Sequence, residues 1–139
     1  MACPLCRADD ETVLWHDDRC RVILAREAAH PGFCRVIWNE HVAEMSDLPA
    51  ADRQHLMDVV LATEQALRAE MHPDKINLAS FGNMVPHLHW HVIPRYSDDR
   101  HFPESVWGPV QRDGVIHPAP DAAVLSGAIR RALSALTQR

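Results

Sequence analysis

The chain has 139 residues, 47% of them hydrophobic and 24% charged, with a formal net charge of −5. That length suits one domain, expected over residues 1–139, with enough chain to bury a core. The negative balance without a long basic run argues against a nucleic-acid binder, and no apolar run approaches the roughly 18–20 residues of a membrane span. An anionic small molecule stays allowed, because a few positively polarised groups can hold a phosphate whatever the net charge. The first residues, "MACPLCRADDE", lack the basic start and apolar stretch of a signal peptide, which points to a cytoplasmic protein. In that setting Cys3, Cys6, Cys20 and Cys34 are expected as free thiols or metal ligands rather than disulfides.

"TVLWHDDRCRVILA" predicts two short strands around a turn at Asp17-Asp18, and Pro31-Gly32 opens a third strand, "FCRVIW". From Pro49 to Met71 the pattern turns helical. Leu56, Val59, Val60, Thr63, Leu67 and Met71 share one helix face, Ser46 or Asp47 can cap the start, and Pro73 bars continuation. "KINLAS" predicts a fourth strand, "FGNMVP" a turn and "HLHWHVI" a fifth strand. Residues 97–120 hold four of the ten prolines and predict an irregular loop. Asp121 then opens a last helix with Val124, Leu125, Ala128, Ile129, Ala132, Leu133 and Leu136 on its apolar face. The order predicts an α+β domain: a five-stranded antiparallel sheet, a long central helix and a C-terminal helix.

In "HLHWHVIPR", residues 87–95, three histidines stand at alternate positions. In a strand, alternate side chains share a face, so His87, His89 and His91 point one way and Leu88, Trp90 and Val92 face the core. The spacing leaves three explanations open: a solvated sheet face, a histidine metal site, or a catalytic imidazole flanked by imidazole donors. "CPLC" at residues 3–6 has the Cys-x-x-Cys spacing of half a zinc site, though two free thiols or a redox pair fit it as well. His16, His30, His55, His72, His101 and His117 are expected at the surface. Trp107 is expected to line a pocket, form a dimer contact or fill a core gap.

"HLHWHVI" resembles the His-x-His-x-His-x-x signature of the histidine-triad (HIT) superfamily of nucleotide hydrolases and transferases. "HPGFCRVIWNEHVAEMSDL", "GNMVPHLHWHVIPRY" and "FPESVWG" are similar to further family blocks, so the resemblance covers most of the chain. It implies a HIT-like fold and a homodimer. It also implies attack on the α-phosphate of a purine nucleotide, such as a dinucleoside polyphosphate or an adenylyl conjugate. His89 would be the nucleophile, oriented by the backbone carbonyl of His87, and His91 would serve the leaving group. Asn77 and Asn83 would bind phosphate. In zinc-bearing members two histidines complete the site that a Cys-x-x-Cys begins, which implies Cys3, Cys6, His41 and His87 around a structural zinc. There are departures. Phe33 stands where most members have His, which would remove a hydrogen-bond relay behind the nucleophile. Met84 replaces a small hydroxyl residue, and Ala25 stands in place of the ribose-binding acid. These changes also allow a slow or non-catalytic nucleotide-binding module.

Overall fold

The computed structural model describes residues 3–138. A short helix α1 (Pro4–Arg7) precedes β1 (Thr12–His16), β2 (Cys20–Leu24) and β3 (Cys34–Trp38). Then come α2 (Ala50–Met71), β4 (Lys75–Ala79), β5 (His89–Arg95) and α3 (Ala122–Thr137). The strands form one antiparallel sheet in the order β1-β2-β3-β5-β4, the α+β architecture expected.

Alternation gives the sheet two unlike faces. Val22, Val36 and Val92 face α2 and α3 and form one core with Leu56, Val59, Leu67, Leu125 and Ile129. The residues between them face the other way. Opposed pairs in an antiparallel ladder share a face, so Ile37 opposite His89 and Arg35 opposite His91 put these four on that second face. Phe33 and Ile93 form a smaller apolar cluster there, with Ala25 and Val106. Gly32 sets up this entry: its φ is +87°, and a Cβ would lie 2.5 Å from the Met71 sulfur, so only glycine lets the chain turn there against α2.

Two local expectations are corrected. The long helix is not capped by Ser46 or Asp47. Asp47 closes a separate 3-10 turn, Met45–Asp47, and Pro49 stands at the N-cap position with its carbonyl accepting the N–H groups of Asp52 and Arg53. The fifth strand begins at His89 rather than His87, because Leu88 bonds through its N–H to the Val42 carbonyl and through its own carbonyl to the Trp38 N–H. It also runs past Ile93 to Arg95, with Pro94 opposite Ile76.

The loop after β5 has no regular structure, yet it is anchored. Arg95, 2% exposed, donates to both carboxylate oxygens of Asp99 at 2.8 and 3.1 Å. It also donates to Asn77 Oδ1 and to the Glu104 carbonyl, each at 2.8 Å. Asp99 in turn accepts the N–H groups of Tyr96, His101 and Phe102. Removing one partner of such a pair strands the other charge in the interior. Asp99→Asn is therefore expected to cost about 3–5 kcal/mol, read as a lower midpoint in urea unfolding.

Candidate active site

The three histidines do not share one environment. His87, 1% exposed, donates from Nε2 to the Trp38 carbonyl. Burial lowers its pKa, so the ring is neutral and its Nδ1 carries a lone pair. That atom lies 3.4 Å from Cys3 Sγ, 3.4 Å from Cys6 Sγ and 3.2 Å from His41 Nδ1, while Cys6 Sγ is 3.3 Å from His41 Nδ1. All four donor atoms fall within 4.8 Å of one another. A tetrahedral zinc with ordinary Zn–S and Zn–N bonds needs ligand–ligand edges of roughly 3.3–3.8 Å. The donor set and its spacing fit such an ion, and α1, which presents both sulfurs on one turn, is what makes the approach possible.

His89 differs by one bond. Its Nδ1 donates to the His87 carbonyl at 2.6 Å, which leaves the Nε2 lone pair for chemistry. His91 makes no such bond: its Nδ1 is buried without a partner among the described residues. Its ring is walled by Trp107 and His89, each with centroid at 5.0 Å, by Phe33 at 5.6 Å and by Phe81 at 6.3 Å. The departure at Phe33 thus bears on His91, the third histidine, where the sequence comparison placed it behind the nucleophile. Strand register explains this: Phe33 precedes Cys34, which lies opposite Val92.

The amides take different positions. Asn77 is held by Arg95, so its Oδ1 is occupied and its Nδ2 is the free donor. Asn83 is exposed on the turn before the triad, with no hydrogen bond among the described residues. Met84 is 95% exposed and Trp107 is 53% exposed. A hollow of about 440 Å³ runs along β4, with Lys75, Asn77, Phe81 and Trp107 in its walls. It adjoins His91 through the two shared aromatic rings and does not include His89.

His30 is corrected from surface to interior. It is 5% exposed, pairs with His101 at 2.9 Å and stands 4.0 Å from Asp99. His55 is half-buried on Asp17 Oδ2, whose other oxygen accepts the N–H groups of Arg19 and Cys20 and closes the β1–β2 turn. Cys20 lies beside this pair, but burial, then Asp17, pushes its thiol up to about 12, which suits a packed thiol rather than a ligand. Sequence reasoning missed Phe81 and Arg35. Pairing "FCRVIW" with "HLHWHVI" by face would have located Arg35; an exposed Phe before a glycine turn was the available signal for Phe81.

A sheet carrying alternate histidines at the end of its fourth-placed strand, backed by two helices, defines a histidine-triad domain. The sequence matches the family model described as HIT domain over residues 7–98, and the chain belongs to that family. It is similar to a histidine triad protein from Marinobacter aquaeolei, 28% identical, with a TM-score of 0.71 over 94% of this chain and 93% of that one. A histidine triad protein from Bradyrhizobium japonicum is 27% identical, with a TM-score of 0.70 over 91% and 93%. A Zn-bound histidine triad family protein from Mycobacterium smegmatis shares the fold at 23% identity, TM-score 0.65, over 98% and 96%. No curated protein matches the sequence. Among the described residues no helix is long and apolar enough to cross a membrane.

Burial, then the neighbouring His89 ring and the Arg35 charge, lowers His91 from 6.5 to about 4, and burial also lowers His30. Both rings stay neutral in the folded chain while the unfolded chain takes up protons from about pH 6.5 downward. Their stabilising effect is complete above that value and is lost as pH falls toward about 4. Asp99 resists the opposing effect of burial. Its Arg95 bond and backbone N–H donors hold its pKa well below the carboxylate range, so its contribution is lost only at lower pH. Urea unfolding at about pH 7 and about pH 5 should show a lower midpoint in acid, and a smaller drop in His91→Phe.

Proposed function

We propose that the chain is a single-domain nucleotide phosphohydrolase or nucleotidyl transferase. It acts on the α-phosphate of dinucleoside polyphosphates or adenylyl conjugates. The observation that carries this reading is the 2.6 Å bond from His89 Nδ1 to the His87 carbonyl, which selects the tautomer with Nε2 free. Nε2 attacks the α-phosphorus as the bond to the leaving group breaks and its electron pair departs with that group. Water then attacks the same phosphorus, the P–N bond breaks, and a nucleoside monophosphate leaves. His91 stands beside His89 on the leaving-group side, and the Asn77 and Asn83 amides supply phosphate donors. Trp107 offers a face for stacking. The purine preference follows the family.

Cys3, Cys6, His41 and His87 would hold a zinc ion with all four positions filled by protein. Such an ion supplies folding energy and no nucleophile. Edge strand β4 has backbone groups open on one side and exposed Leu78 and Phe81 beside them, which suits pairing with a second copy in a homodimer. A cytoplasmic location accords with free thiols at Cys20 and Cys34. A second reading, a slow nucleotide-binding module, is favoured by one feature: the partnerless Nδ1 of His91.

Incubation with α-labelled diadenosine polyphosphate should trap a covalent nucleotidyl-protein, and His89→Ala should abolish it. Equal labelling in His89→Ala would remove His89 from the reaction, and binding without label or turnover in the wild type would favour the slow module. For the metal, elemental analysis should find one zinc per chain in the wild type and little in Cys6→Ser. Chelation should lower the unfolding midpoint by roughly 5–10 °C without direct loss of the labelling chemistry at a temperature where the chain stays folded.

A further inference from the structure

The third histidine sits in an enclosure that an acid catalyst would not choose. His91 is 6% exposed, and among the described residues its Nδ1 has no hydrogen-bond partner. Phe33, 1% exposed, meets the ring edge-on at 5.6 Å, so that wall is closed to water. An imidazolium presents two N–H donors and needs an acceptor for each. Here one of the two would be driven into an apolar cluster. Among the described residues no carboxylate is paired with the ring: Arg35 opposite on β3 opposes a positive charge there, and the neighbouring ring of His89 on the same strand offers no compensating negative charge. The facing rings of Phe33, Phe81 and Trp107 bring no acceptor either. The remaining nearby proton is on His89 Nδ1, and it is committed to the His87 carbonyl; it stays there when Nε2 bonds to phosphorus.

Resting on the nucleotidyl-transfer reading, we propose that Phe33 is a specificity-determining residue. By leaving His91 a neutral ring without a second anchored donor, it confines the site to leaving groups that depart as stable oxyanions. Phosphoanhydrides meet that condition. As the Nε2–phosphorus bond forms and the phosphorus–oxygen bond breaks, the electron pair leaves on a phosphate oxygen that needs no proton. A phosphoramidate does not meet it, since its nitrogen must gain a proton before the phosphorus–nitrogen bond can break to give a neutral amine. His91 then acts by donating a hydrogen bond, not a proton.

The test compares two adenylyl donors, a diadenosine polyphosphate and adenosine 5′-phosphoramidate, on the full-length wild type, Phe33→His and Phe33→Leu. Formation of adenylyl-His89 is expected to be roughly 10²–10⁴-fold faster from the anhydride in the wild type, the range that a general acid contributes. Phe33→His, which offers His91 Nδ1 a partner, should narrow that ratio at least about tenfold, and Phe33→Leu should keep it. Nitrogen NMR of the imidazoles gives a readout independent of turnover: His91 should remain neutral at about pH 5 in the wild type. Equal rates from both donors, an unchanged ratio in a folded Phe33→His, or a wild-type His91 that titrates near its ordinary value would overturn the proposal. No adduct from either donor would instead overturn the nucleotidyl-transfer reading, with the NMR still deciding the state of His91.

Discussion

One imidazole, that of His87, connects the parts on which the site depends. Its Nε2 donates to the Trp38 carbonyl at the end of β3, and its Nδ1 faces both N-terminal sulfurs and His41. Its backbone carbonyl accepts from His89. The ring is neutral and can do both jobs only because the two nitrogens have opposite roles, one donor and one lone pair. The Trp38 carbonyl thus sets which nitrogen meets the sulfurs. The resulting seat of residue 87 sets where its carbonyl points, and that carbonyl sets which nitrogen of His89 stays free. Tautomer choice passes from β3 to His89 without any charged group in the chain of contacts.

The rest of the second sheet face is organised around keeping its polar groups few and held. Arg95 and Asp99 are among the most buried charged residues described, and they are tied to Asn77, to three loop N–H groups and to the Glu104 carbonyl. His30 and His101 stand against the same carboxylate. A loop with no regular structure would otherwise carry unsatisfied backbone groups. Asp99 takes that role, which is why a proline-rich stretch can lay Trp107 over His91 at 5.0 Å.

Period and turn chemistry carried much of this in the sequence. Branched residues at alternate positions marked β1 to β3, and the 3.6-residue recurrence from Leu56 to Met71 marked α2. Cys3, Cys6, His41 and His87 were legible only by resemblance, because local spacing links Cys3 to Cys6 and says nothing of residues 35 and 81 positions away. Two features lie beyond local reading for one cause. The burial of His30 and the start of β5 at His89 both depend on partners distant in sequence: Asp99 for the first, Val42 and Trp38 for the second. Propensity has no access to such bonds. The effect of Phe33 was misplaced for a related reason, since its neighbour across the sheet follows from register.

A net charge of −5 and a polyphosphate ligand are compatible because the field at the site is local. Arg35 lies opposite His91 on the same sheet face and packs over the Phe33 ring at 5.5 Å. The Arg95 guanidinium, although buried, is neutralised by Asp99 and reaches the surface only as the orientation of the Asn77 amide. Positive influence on a phosphate would therefore come from Arg35, from Lys75 in the wall of the hollow and from neutral donors, not from a basic patch. Neutral donors do not saturate or repel as a second phosphate arrives, and they gain strength in an enclosure from which aromatic rings exclude water. A cationic His91 would add attraction for the ground state, but it would have to be created beside Arg35 in the least hydrated corner of the face. The aromatic walls select against that charge on His91, so an anion brought to this face would meet Arg35 and neutral dipoles rather than a cationic ring at residue 91.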